Sequence, residues 1–267
     1  METATLIDTL ERLYGAVGAL CEELGPEEWA LPTGCPGWTV KDNLAHIVGL
    51  DAELCGQPLP EVELPDLERL ADPFKRHMEI AVEARRALAP RQIQDEFRTV
   101  SAAYVAQLRA LQAGGDPDPE VNGPMGRRGL LRRFLPIRIF DVWSHEQDIR
   151  RATGRPGDLD SAAAEVSFRA ITRQLGVVLG EAGVPAGTEV AVEVGGAMQR
   201  RFEVVTGERG DGAGRAGPAA VLHLDVADFV ARACGRRDGS GEFLGAVEVT
   251  GNPEVGARLL EHMAVTP

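Results

Sequence analysis

Asp141 and His145 stand four residues apart in Arg138-Ile139-Phe140-Asp141-Val142-Trp143-Ser144-His145, a stretch of helical texture. That spacing puts both side chains on one helix face, one turn apart, where an acid and an imidazole can chelate a single cation. His46, on a separate helical stretch, can complete a three-donor set from a facing helix, which is how metal sites are built inside bundles. Two imidazoles and a carboxylate match catalytic zinc, where three protein ligands leave a fourth position for water or substrate. Arg138 and Asp148, a turn to either side, are placed to orient the ligands. The plainer alternative pairs Asp141 with Arg138 or His145 as an ordinary ion pair on a helix surface, and spacing alone leaves both open.

These residues need helices to carry them. From Thr3 to Leu24, Leu6, Leu10, Leu13, Val17 and Leu20 recur at three- and four-residue steps, the pattern of one buried helix face. A loop rich in Gly and Pro comes next, through Pro36-Gly37. Thr39 can then cap a second helix, with Asp42 in capping-box position and His46 two turns inside. Helical patterns run from Phe74 to Leu88 and from Arg91 to Leu111, and 114–129 reads as a loop. The helix from Leu130 to Ala152 bears Asp141 and His145 and stops at Thr153-Gly154, and another runs from Ser161 to Glu181.

Beyond Pro185 the texture changes to period-two alternation: Thr188 to Val194, Arg201 to Val205, Ala220 to Leu224 and Ala246 to Thr250 read as strands. Gly207 to Gly217 reads as a Gly-rich turn, and helices are expected at Asp225 to Cys234 and Pro253 to Met263. The expectation is therefore two domains, an all-helical 1–184 and a mixed 185–267.

At 44% hydrophobic and 26% charged, the 267 residues have the composition of a folded globular chain. A net charge of −13 argues against nucleic acid, whose binding depends on neutralising phosphates with Lys and Arg. No apolar run approaches the roughly 20 residues of a membrane span, and no signal peptide is visible, so the expected compartment is the cytoplasm. Cys21, Cys35, Cys55 and Cys234 lack any Cys-x-x-Cys spacing and are read as free, mostly buried thiols.

Pro32-Thr33-Gly34-Cys35-Pro36-Gly37-Trp38-Thr39-Val40-Lys41-Asp42-Asn43-Leu44-Ala45-His46-Ile47, together with the stretch from Arg138 to Ala152, resembles the actinobacterial mycothiol-dependent maleylpyruvate isomerase family. The resemblance implies a DinB-like four-helix bundle and, after it, a small mixed α/β domain of the sterol-carrier type. It implies a divalent metal, usually zinc, bound by a His of the first motif and an acid-x-x-x-His of the second, which map onto His46, Asp141 and His145. Characterised members carry Glu where Asp141 stands. The stretch Ala231-Arg232-Ala233-Cys234-Gly235-Arg236-Arg237, with Val247 to Asn252, resembles the closing pattern of the second domain, and Arg236 is the candidate for an arginine that assists catalysis.

The family role implies a thiol cofactor, mycothiol, at the open metal position, where the cation favours the nucleophilic thiolate. The partners are then a small-molecule thiol and an electrophilic substrate, the reaction an isomerisation or an S-transfer, and the enzyme a monomer or homodimer. The alternative is a non-catalytic binding module of the same fold with a structural or absent metal. Eight arginines between Arg127 and Arg155 make a positive region able to steer a carboxylate-bearing substrate, or else a solvated helix face. His77 and His262 are expected at the surface, His223 in a structural role, and Trp29, Trp38 and Trp143 as core anchors.

Overall fold

Residues 1–116, 118–207, 217–236 and 245–266 are described by a computed structural model, and they form two compact units, Met1–Pro156 and Gly157–Pro267. The first unit is helical. Helix α1 (Thr3–Glu22) buries Leu6, Leu10, Leu13, Val17 and Leu20, the stripe expected of it. Helix α2 (Val40–Leu54) begins at a complete capping box, with Asp42 N donating to Thr39 Oγ1 at 3.3 Å and Thr39 N donating to Asp42 Oδ2 at 2.9 Å. Twelve of its fifteen residues are buried, so α2 is surrounded rather than amphipathic.

Helices α3 (Pro73–Glu83), α4 (Pro90–Ala113) and α5 (Leu131–Ala152) complete this unit. α1 packs on α4 and α5, and α2 on α4 and α5, which makes these four the bundle; α3 lies against α2. Gly49 is what admits α3 so closely: a Cβ there would fall 2.1 Å from the Ala81 Cβ. Any larger residue would have to push the two helices apart.

The segment expected as a loop at 114–129 contains a short hairpin. β1 (Glu120–Asn122) pairs antiparallel with β2 (Arg128–Leu130), joined by a turn over Pro124–Gly126. Its strands are too short for alternation to show in the sequence. The hairpin sits on Phe134 of α5, whose ring would lie 2.5 Å from a Cβ at Gly123 and 3.0 Å from one at Gly129, so both glycines make room for the aromatic ring.

The second unit is a small mixed α/β module. Its strands β3 (Glu189–Gly195), β4 (Arg200–Val205), β5 (Ala220–Asp225) and β6 (Glu248–Gly251) form one sheet in the order β4-β3-β5-β6, with only β3 and β5 parallel. Helices α6 (Ala162–Glu181), α7 (Val226–Ala233) and α8 (Pro253–His262) accompany it. Val190, Val192, Phe202, Val204 and Leu222 give the sheet a buried apolar face, and Phe168 of α6 stacks on Phe229 of α7 at 5.4 Å between ring centroids.

That stacking accounts for the one change in domain organisation. The division falls before α6, at 156/157, rather than after it at 184/185, because α6 buries its apolar side against β4 and α8. An apolar helical stripe announces burial without saying against which partner. Most of the expected Gly-rich turn at Gly207 to Gly217 lies outside the described residues, as does Arg237.

Candidate metal centre

His46 comes from the middle of α2, and Asp141 and His145 from successive turns of α5. The two helices run antiparallel, with Asn43 facing His145, His46 facing Asp141 and Asp51 facing Arg138. His46 Nε2 lies 3.2 Å and His145 Nε2 3.7 Å from the same oxygen, Asp141 Oδ1. The ligand-type atoms of all three residues lie within 4.8 Å of one another. Bonds of about 2.1 Å in a tetrahedron put neighbouring donors roughly 3.4 Å apart, so these separations fit one small cation.

Two of the three side chains are held from behind. His145 Nδ1 lies 2.7 Å from Asn43 Oδ1 and 3.2 Å from Asp148 Oδ2. Two acceptors there keep the proton on Nδ1 and leave the Nε2 lone pair facing the cluster, the arrangement that orients metal-bound imidazoles. Asp141 turns its other oxygen, Oδ2, to Arg138 Nη1. His46 Nδ1 is buried with no hydrogen-bond partner among the described residues, so Asp141 is what fixes that ring.

Arg138 is buried and tied into a chain of polar groups. Its Nε donates to Asp51 Oδ1 at 2.8 Å and its Nη2 to the Ile47 carbonyl at 2.8 Å, while Tyr14 Oη donates to Asp51 Oδ1 at 2.7 Å. Burial would lower the guanidinium pKa, but Asp51, Tyr14 and Asp141 hold it above its ordinary value. Burial pushes the Asp51 carboxyl up, with Arg138 and the Tyr14 hydroxyl opposing. Burial alone would also raise Asp141; the neighbouring His46, Arg138 and His145 outweigh it and keep that carboxyl well below the usual range. The result is an anionic carboxylate fixed on one side by a permanent cation and open on the other, its side chain 26% exposed.

The family model described as the mycothiol maleylpyruvate isomerase N-terminal domain matches residues 10–150, which include α2, all but the last two residues of α5 and every residue of this cluster. The chain belongs to the mycothiol maleylpyruvate isomerase family. Among solved structures it is similar to a mycothiol-dependent maleylpyruvate isomerase, at 15% identity and a TM-score of 0.58, over 94% of this chain and 93% of that one. It is also similar to a histidine-to-alanine mutant of a mycothiol-dependent maleylpyruvate isomerase, at 17% identity and a TM-score of 0.56, over 92% and 96%. At such identities the likeness concerns the fold. No curated protein matches the chain.

In this member of the maleylpyruvate isomerase family, Trp38 is not a core anchor, unlike the buried Trp29 and Trp143. Its ring stands 5.0 Å from the His46 ring and 5.6 Å from the His145 ring, so it shields both imidazoles. Glu79 of α3 accepts from Trp38 Nε1 at 2.9 Å and from Arg69 and Arg86. Burial would raise the Glu79 pKa, but hydrogen bonds from Arg69, Trp38 and Arg86 bring it below the ordinary value. Its contribution to stability is therefore complete above the unfolded carboxylate pKa of about 4.3 and is lost as pH falls through the lower folded value. Urea unfolding across the acid range should show a falling limb of stability that flattens in Glu79→Gln.

Sequence reasoning missed Asn43, Trp38 and Glu79. Asn43 had a signal: it lies three residues before His46, on the same face of α2. Cys35 is half-buried rather than buried, and it forms with His145 and Asp148 a second group of metal-type donors within 4.8 Å. His77 pairs with Glu53 at 2.8 Å and His223 with Glu193 at 2.9 Å. Arg236 belongs to the second unit, after α7, where its Nη1 donates to the Cys234 carbonyl at 2.7 Å. The structure thus brings His46, Asp141, His145 and Arg138 together in the first unit and sets Arg236 in the other. No helix is long and apolar enough to cross a membrane among the described residues.

Proposed function

We propose that this chain is a metal-dependent enzyme that uses mycothiol to act on a small, carboxylate-bearing electrophile, as an isomerase or a thiol S-transferase. The divalent cation, zinc by preference, is held by His46, Asp141 and His145. The observation that carries this reading is the convergence of two Nε2 atoms on one carboxylate oxygen, with two acceptor oxygens, of Asn43 and Asp148, against His145 Nδ1. Family membership supplies the thiol. A cation bound here would lower the pKa of a thiol and favour the nucleophilic thiolate.

The chain's own residues do the rest. Arg138 positions Asp141 and cancels part of its charge, so the set of two neutral imidazoles and one carboxylate suits a dication with an open position. Trp38 covers the imidazoles and limits water on that side. Arg236 is assigned an assisting role, on the family resemblance of the stretch that carries it. Four free cysteines suit a reducing compartment such as the cytoplasm.

The test is metal analysis of purified wild type, His46→Ala and His145→Ala, and then thiol-dependent turnover of electrophiles including maleylpyruvate. One equivalent of metal in wild type and little in either variant is the expected result; unchanged metal content in either variant overturns the ligand set. Metal-loaded protein that turns over no electrophile with mycothiol would favour the non-catalytic binding module.

A further inference from the structure

The β1–β2 hairpin and the turns of α5 that precede Asp141 carry exposed apolar and cationic groups that the candidate metal centre itself does not use. Antiparallel pairing of α2 and α5 places the end of α2 near the start of α5, and the β1–β2 hairpin is fastened across that end. Glu53, two turns beyond His46 on α2, accepts from the backbone N of Met125 at 2.9 Å, while Phe134 of α5 fits beneath Gly123 and Gly129. The tether holds Met125 in the left-handed region, with φ of 59°, which an unbranched side chain adopts only at a cost.

Two large apolar side chains stand exposed at this end, Met125 at 39% and Ile137 at 59%. Ile137 lies one turn before Asp141 on α5, in the same slanting row that continues to His145. An exposed apolar patch rimmed by polar groups is the kind of surface that takes a ligand.

The charges sort in the same way. Of the eight arginines between Arg127 and Arg155, Arg128, Arg132, Arg138, Arg150 and Arg155 are committed to carboxylates. Arg127, next to the hairpin turn, and Arg133, one turn before Ile137, are exposed and form no ion pair among the described residues. In a chain of net charge −13, a pair of uncommitted cations beside an apolar wall is complementary to an anion with an apolar body. Arg133 is eight residues from Asp141, about 12 Å along the helix axis. A small diacid seated at the cluster does not span that distance.

We propose that the hairpin turn and the first two turns of α5 form the seat for the non-reacting end of the substrate. It takes an aliphatic body against Met125 and Ile137 and a terminal carboxylate on Arg127 and Arg133. This rests on the reading of the metal centre as an enzyme site, deepens it, and gives the substrate class as a medium-length, carboxylate-ended electrophile.

Octanoate is the probe, with affinity measured calorimetrically on metal-loaded and on chelator-stripped protein. Binding is expected in both forms, weakened about tenfold or more in Arg127→Gln/Arg133→Gln, where two charge-assisted hydrogen bonds are lost. Ile137→Asp should weaken it similarly, and acetate should bind far more weakly throughout. Metal content, measured in parallel, is expected to stay at the wild-type level in all these variants. Octanoate affinity unchanged by the variants, or binding that vanishes only when metal is stripped, overturns the proposal. Absence of metal from wild type would instead strike the metal-centre reading and leave the octanoate comparison intact.

Discussion

Arg138→Met is expected to cost about 3–5 kcal/mol of folding stability, the range found when one partner of a buried ion pair is removed. The guanidinium is 4% exposed and Asp51 0%, and Asp51 Oδ2 already lacks a hydrogen bond. Removing the cation leaves a fully buried carboxylate with only Tyr14 to satisfy it. In the variant Asp51 will then bind a proton more readily in the folded state than in the unfolded one. A folded-state pKa raised in this way contributes stability below the unfolded value and loses it as pH rises. The deficit should thus be larger at pH 8 than at pH 5. Urea unfolding of wild type, Arg138→Met and Asp51→Asn/Arg138→Met at both pH values measures this. The double variant should recover part of the loss, since no unpaired charge remains; equal losses in the single and double variants would show that the pair is not what holds α2 to α5.

Asn43→Leu should weaken metal binding about 10–100-fold, as loss of a partner behind a metal-bound histidine commonly does. Leucine keeps the branched shape of asparagine but cannot accept from His145 Nδ1, nor donate to Thr33 Oγ1 and the Thr39 carbonyl as the Asn43 amide does. The imidazole then loses the shorter of its two anchors and is held in tautomer and direction by Asp148 alone. Competition with a chelator of known affinity reads the change. The fold should tolerate the substitution well enough for saturating metal still to bind. An unaltered affinity would mean that His145 does not present Nε2 to the ion.

Much of this was legible in the amino-acid sequence wherever a local rule decided the outcome. The capping box at Thr39 and Asp42, the stripe from Leu6 to Leu20, the start of α6 at Ser161 and the alternation of β3 all depend on residues a few positions apart. His46, Asp141 and His145 were placed together by type, spacing and motif, and they do meet. The features that escaped depend on contacts between distant segments. The partner of α6 is chosen by Phe168 meeting Phe229, and the β1–β2 hairpin is made by Glu53 holding Met125 and by Phe134 filling the space two glycines leave. Trp38 comes after a turn-rich loop and resembles any buried aromatic until Glu79, from a third helix, takes its indole N–H.

The pairing of His46 with Asp141 joins positions 95 residues apart in the chain. An ion shared across that span would work as a clasp as well as a reagent. The folded chain would have to surrender the ion before those residues could separate, so metal supply would set how long the bundle survives as well as what it can do. Scarcity of the cation would then act on the amount of protein in the cell, ahead of any effect on the rate of each molecule that persists.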